Sequence, residues 1–214
     1  CPRDIELEKV IQKYKDQTDS KYCRVVTRFA DRYTHLARNQ ETLLGKLLAD
    51  AFKDVLGVDI MFLGSGSIRD EELGPIVQYR DLLQVFPYND EIYRICVTGE
   101  QLRRMVKRIL RNEGDHAEYY QFSRGFRIEF NQKEQELISL SFNGYEIRDN
   151  DQYKLGLQSF HLKNIQDFLD VSLEEVTAIK RPKIISTKST DVLEEYFSQY
   201  ELIRVSNEQR LILR

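Results

Sequence analysis

Between Gln40 and Leu63 the chain carries two apolar patterns back to back, and together they constrain its fold most. Leu43, Leu44, Leu47, Leu48, Ala51, Phe52 and Val55 recur at helical spacing and predict a core-facing helix over residues 40–56. Gly57 ends it in the way glycine usually terminates helices. The uninterrupted apolar run Val58 to Leu63 then has the length and composition of a buried strand. A helix stripe and a continuous apolar strand must both be covered, so helices must pack on a sheet. Gly45 interrupts the helix at a cost relative to alanine, which is compatible with a close packing contact.

The strand empties into Gly64-Ser65-Gly66-Ser67, where small residues let a ligand approach the backbone. Ile68 follows as an anchor and Arg69 as a fixed positive fork suited to phosphate or carboxylate. A short helix over Tyr79–Val85 leads to Pro87-Tyr88-Asn89-Asp90, which sets an aromatic ring and a carboxylate just after a rigid bend. Cation, ring and carboxylate suit a nucleotide-like ligand. The same loop also reads as a plain turn, with Tyr88 capping the core.

Along the rest of the chain, Ile5, Leu7, Val10, Ile11 and Tyr14 predict a surface helix from Asp4 to about Asp16, ended by the breaking cluster Gln17-Thr18-Asp19-Ser20. It reads equally as a linker and as an ordinary first helix of the domain. Strands are expected over Tyr22–Phe29, Glu91–Val97, Leu137–Phe142, Tyr145–Ile147, Tyr153–Leu157 and Lys183–Ser186, with Tyr119–Phe130 extended but interrupted at 123–125. Asn143-Gly144 marks a type I′ hairpin turn. Helices are expected after the capping boxes Thr98-Gly99-Glu100-Gln101 and Ser172 to Glu175, over Asn164–Asp170 and over Ser189–Tyr200. Residues 113–117 read as a polar loop and Leu202–Arg214 as a strand-like tail. Strands and helices alternate without a βαβ period or internal repeat. The expected fold class is α+β: one domain of mixed β-sheet and packed helices over residues 21–214, behind a linker helix over residues 1–20.

Composition narrows function. The 214 residues carry 35 acidic and 32 basic side chains, a near balance that argues against a non-specific nucleic-acid surface. Arg103, Arg104, Lys107, Arg108 and Arg111 on one helix read as a solvated face. No apolar run is long enough for a membrane span, and CPRDIELEK has no signal-peptide core. Cys1, without an initiator methionine, reads as the start of a piece cut from something longer. Cys23 and Cys96 read as buried small hydrophobes. Neither the cysteines nor His35, His116 and His161 form a metal or catalytic pattern. The glycine loop lacks the GK[ST] ending of a phosphate-cradling NTPase.

ETLLGKLLADAF, GSGSIR, PYND and TGEQL occur in one order and at one spacing that resemble the C-terminal, substrate-binding domain of the 5′-nucleotidase and UDP-sugar hydrolase family, whose members show ETNLG-like, GGGIR-like, PFGN-like and TG-x-x-L stretches. QFSRGFRIEF is similar to the family's Q-x-S-G-like strand. The resemblance covers about Tyr22 to Arg214. It implies that this chain holds a nucleotide or related phosphoester. Hydrolysis would then occur at two divalent metals in an N-terminal metallophosphatase domain, joined in cis through the first helix, with no cofactor on this chain itself.

By the same resemblance Arg38 and Arg69 match phosphate-binding arginines, and Tyr88 and Phe160 match the two stacking rings. Gly125 matches a glycine whose backbone lies near the base, and Asp90 stands for an asparagine. Asp167 lies one residue out of register with a ribose-contacting acid. The departures are Thr34 in place of a further arginine, with Arg32 and His35 near enough to substitute, and NIQDF in place of a GGDGY-like stretch. They leave a second expectation open: a degenerate, non-catalytic binding or assembly domain that no longer accepts nucleotides.

Overall fold

A computed structural model describes residues 4–111 and 118–214 of the chain. The polar loop expected at 113–117, with His116, lies outside the described residues.

The first helix, α1 (Ile5–Tyr22), is capped by Asp4, whose carboxylate accepts the Glu6 and Leu7 N–H groups. It runs straight through the expected breaking cluster, because Thr18 Oγ1 donates back to the Tyr14 carbonyl at 2.7 Å instead of competing with the helix. Its apolar positions Ile5, Leu7, Val10, Ile11 and Tyr14 are 51–65% exposed. Because Tyr22 is still helical, the first strand starts later than the sequence suggests. It is β1 (Val25–Phe29), followed by β2 (Tyr33–Thr34). Cys23 is the C-cap of α1 rather than a strand residue, and both Cys23 and Cys96 are half-buried rather than core.

Thr42 caps α2 (Leu43–Leu56) by accepting the Gly45 N–H, and Gly57 closes it in the left-handed conformation (φ 62°). The next elements are β3 (Ile60–Gly64), a single 3₁₀ turn (Ser65–Ser67), β4 (Glu72–Leu73), β5 (Ile76–Gln78) and α3 (Tyr79–Val85). Then come β6 (Ile92–Thr98) and α4 (Gly99–Arg111), whose capping box is present: Thr98 and Gln101 exchange side-chain-to-backbone bonds at 2.9 and 3.2 Å. Strands β7 (Tyr120–Phe122), β8 (Phe126–Asn131), β9 (Glu136–Phe142), β10 (Tyr145–Glu146) and β11 (Gln152–Gln158) lead to short helices α5 (Ser159–Lys163), α6 (Ile165–Leu169) and α7 (Leu173–Ile179). Last are β12 (Lys183–Ser186), α8 (Ser189–Ser198), β13 (Leu202–Ile203) and β14 (Leu211–Leu213). The tail is therefore two short strands, not one. Between them Arg210 is 2% exposed and donates to Asp50 Oδ2 and the Phe122 carbonyl, both at 2.6 Å.

The central sheet has the order β12-β6-β11-β3-β7, with β3 and β11 parallel and the other pairs antiparallel. Side sheets β13-β1-β5 and β10-β9-β8-β14 flank it. Strand β3 is buried on both faces, which is why it reads as an unbroken apolar run. Met61 and Leu63 join the core beneath α2, α3 and α8, whereas Ile60 and Phe62 join the core beneath α4. Gly45 is where α2 meets β7: a Cβ there would stand 2.3 Å from Gln121 Oε1.

The basic residues of α4 are not merely a solvated face. Arg103 pairs with Asp149 at 3.0 Å, and Arg104 with Glu100 and Glu175. The Nε groups of Arg108 and Arg111 donate to the carbonyls of Asp167 and Gln135. These cations tie α4 to the elements around it through groups that composition does not reveal.

Candidate functional site

Four chain segments reach one end of the central sheet, and the strand directions decide this. Parallel strands β3 and β11 both finish there, so the loop after Gly64 and the helix after Gln158 emerge side by side. Strand β6 runs antiparallel to β11 and pairs Ile92 with Gln158, so the turn ahead of β6 arrives at the same edge. Strand β7 runs antiparallel to β3 and pairs Tyr120 with Gly64, which brings in Glu118. Ligands commonly bind beyond the carboxyl ends of parallel strands.

The cleft formed there has a volume of about 390 Å³ and is lined by Arg38, Gly66, Ser67, Arg69, Tyr88, Asp90, Glu118, Phe160 and His161. That volume lies within the range of small-molecule sites. Tyr88 and Phe160 are 43% and 52% exposed, so two large rings stand at the cleft rather than in the core. The Arg69 guanidinium carbon lies 5.6 Å from the Tyr88 ring centroid, a cation–π arrangement. Its Nη1 donates to the Gly66 carbonyl at 3.3 Å, and its backbone N–H to the Val85 carbonyl. The Tyr88 turn is pinned from the other side, where Asn89 Oδ1 accepts from the Thr190 hydroxyl at 3.1 Å.

A buried polar layer holds the glycine-serine loop from beneath. Gln158, wholly buried, accepts the Gly64 N–H at 3.1 Å and donates to Ser67 Oγ at 2.9 Å. The Gln121 amide donates to Ser65 Oγ and the Gln40 carbonyl, and accepts the Thr42 N–H. His35 bridges Thr42 Oγ1 (2.8 Å) and the Ser65 carbonyl (3.1 Å), and burial pushes its pKa down. These bonds satisfy the turn so that its residues keep one shape.

At the floor, the His161 imidazole lies where a Cβ on residue 64 would be, 2.1 Å from its Cε1, so only glycine fits there. His161 packs edge-on to Tyr120, with ring centroids 5.0 Å apart, and burial pushes its pKa down to about 4. Glu118 Oε1 accepts the Gly66 N–H at 3.2 Å, and burial raises its pKa while that bond and Arg38 oppose the rise.

Of the seven residues expected at a ligand site, Arg38, Arg69, Tyr88, Asp90 and Phe160 line this cleft. Gly125 and Asp167 do not. Gly125 adopts φ 83° in the turn between β7 and β8, where a Cβ would meet Asn143 Oδ1 at 2.3 Å and Lys53 lies close by. Its role is the turn and its packing on the β9–β10 hairpin. Asp167 lines a different cavity, with Arg104, Lys107, Arg108 and Arg111, because α6 turns Phe168 towards Phe160 (5.7 Å) instead. Neither proposed substitute for the missing arginine lines the cleft: Arg32 pairs with Glu72, and His35 is in the buried layer. Glu118 and His161 lie outside the sequence reading of the site; the local signal for Glu118 is a charged residue just ahead of the apolar strand YYQF. Among the described residues no group of His, Cys, Asp or Glu is placed to hold a metal ion, and no helix is long and apolar enough to cross a membrane.

Comparison with known proteins matches residues 21–171 to the family model described as 5′-nucleotidase, C-terminal domain. A 5′-nucleotidase of Vibrio parahaemolyticus is 23% identical over 174 residues, covering 80% of this chain and 29% of that protein. Among solved structures, the Haemophilus influenzae NAD nucleotidase superposes with a TM-score of 0.76 at 14% identity, covering 99% of this chain and 41% of its own. The 5′-nucleotidase precursor of Thermus thermophilus gives 0.73 at 13% identity, covering 100% and 44%. These structural likenesses are of fold. The chain spans less than a third of the length of that curated relative.

Proposed function

The chain belongs to the 5′-nucleotidase family, as its C-terminal domain, and on that premise we propose that it is the substrate-recognition half of a two-domain phosphoester hydrolase acting on nucleotides. The observation that carries this reading is the convergence of Tyr88 and Phe160, far apart in the chain, on the cleft that also holds Arg38 and Arg69. The rings supply apolar faces for a base, and the guanidinium groups supply donor forks for phosphate oxygens. Asp90 supplies an acceptor for donors on base or ribose. The buried layer under the loop keeps these groups in register, so little ordering remains to be done on binding.

The family membership is what supports assigning two divalent ions to an N-terminal metallophosphatase domain. Bound there, they would supply the attacking hydroxide. This chain's part is to hold and orient the substrate. The exposed apolar positions of α1 support reading α1 as the helix that joins the two domains.

The second reading, a domain that no longer accepts nucleotides, draws on the position of Asp167 away from the cleft. Calorimetric titration with nucleosides and nucleoside monophosphates separates the two. The first reading expects monophosphates to bind more tightly than nucleosides, and Arg69→Ala to weaken monophosphate binding more than nucleoside binding. Absence of binding by every nucleoside and nucleotide would favour the second.

A further inference from the structure

One cleft residue has a chemistry that neither stacking nor phosphate binding uses. Glu118 stands directly ahead of β7 and lines the cleft beside Gly66 and His161. A carboxylate repels phosphate, so its place in a phosphate-ester site needs a different partner. Its Oε1 is committed to the Gly66 N–H at 3.2 Å, whereas Oε2 has no protein donor among the described residues. The neighbouring imidazole does not supply one: His161 Nε2 is 3.9 Å from Oε1, beyond hydrogen-bond reach. Burial also keeps that ring uncharged at neutral pH. Burial raises the Glu118 pKa, and the Gly66 bond and the Arg38 charge oppose that rise; no described residue donates to Oε2. The cleft therefore offers a fixed, half-buried acceptor to whatever lies between its rings.

We propose that Glu118 selects the base, favouring those whose edge carries an amino group over those with a carbonyl at the same position. This inference rests on the nucleotide reading above. An ionised carboxylate only accepts. An amino group on the base would donate to Oε2. A carbonyl there would set two acceptors against each other, in a site partly closed to the water that could relieve them. Asp90, the other carboxylate of the cleft, adds to the same bias. Arg38 and Arg69 remain for the phosphate.

The test uses pairs of nucleosides that exchange this amino group for a carbonyl, with a proton gained on the adjacent ring nitrogen: adenosine against inosine and cytidine against uridine, titrated calorimetrically into the full-length protein at pH 7.5. The wild type is expected to prefer the amino member of at least one pair by roughly tenfold or more, the scale of one hydrogen bond to a charged group. Glu118→Gln keeps an oxygen for the Gly66 N–H, so the loop stands, but its amide can turn either face to the ligand. That variant is expected to lower the preferred ratio severalfold, leaving only the share that Asp90 contributes. A wild type that favours the carbonyl members, or neither, overturns the inference without recourse to any variant. So does a Glu118→Gln protein that folds, binds nucleosides and keeps the wild-type ratio. A wild type that binds nucleoside monophosphates and nucleosides alike in both chemistries leaves the nucleotide reading standing and this inference overturned. One that binds none overturns both.

Discussion

Arg69 and Tyr88 meet across the cleft: the guanidinium carbon lies 5.6 Å from the centroid of the phenol ring. The two residues lie at opposite ends of the α3 excursion. Arg69 is tied by its N–H to the Val85 carbonyl at the end of that helix, so the loop and the turn are held as one unit. The cation steadies one face of the ring before any ligand arrives.

A base that stacks on these rings should bind less tightly when either is removed. Base–aromatic stacking contributes about 1–3 kcal/mol per ring, so Tyr88→Ala and Phe160→Ala should each lower nucleoside affinity by roughly 5- to 150-fold. Tyr88→Phe should retain most of it. Both rings are about half exposed, so urea midpoints should scarcely move. Unchanged affinity in both alanine variants would remove the stacking roles.

Gly45→Ala pits two effects of known size against each other. Helix propensity favours alanine by about 1 kcal/mol. The new methyl would sit 2.3–2.4 Å from three atoms of the Gln121 side chain. That amide is bonded to the Thr42 N–H, the Gln40 carbonyl and Ser65 Oγ, so it cannot swing aside without breaking those bonds. Overpacking costs about 1–3 kcal/mol, and the lost bonds add to it. Equilibrium unfolding should show net destabilisation, and a stabilised variant would mean that the α2–β7 contact is looser than described.

Asp50 accepts from the buried Arg210 guanidinium at 2.6 Å and from the Arg124 N–H at 2.7 Å. Asp50→Ala leaves a buried cation without its counter-charge, and stability should fall by about 3–5 kcal/mol. Arg124→Ala, at a partly exposed side chain paired with Asp54, should cost no more than about 1 kcal/mol. Comparable losses in the two variants, measured by denaturant unfolding, would show that Arg210 is not an ionic anchor of the tail.

His161 should make the fold lose stability as pH falls. Its folded pKa is about 4, against an ordinary 6.5. Between those values the unfolded chain binds a proton that the folded one refuses, so stability rises with pH across that window and is complete above it. The span corresponds to an effect on the order of 3 kcal/mol. His35, also pushed down by burial, acts in the same direction. Glu118, pushed up, acts in the opposite direction above pH 4.5. Unfolding of His161→Leu measured between pH 4 and 6.5, in a Glu118→Gln background, should show a shallower slope than the background alone. Equal slopes would mean the imidazole is solvated.

The features legible in the linear chain are local ones. Helix α3 falls on its expected bounds, both expected capping boxes form, and Asn143-Gly144 turns a hairpin with φ 50° and 84°. Each depends on partners three or four residues away, which a linear pattern records. The motif order also carried the family. Strand directions decided the rest: the parallel run of β3 and β11 and the antiparallel run of β6 and β7 bring Arg69, Tyr88, Glu118 and Phe160 to one edge from across nearly a hundred residues. The same packing turned Asp167 towards α4 and Phe168 towards the rings, although the two are neighbours in sequence. Adjacent helical residues point about 100° apart, and only the elements packed around a helix determine which of its sides meets the site.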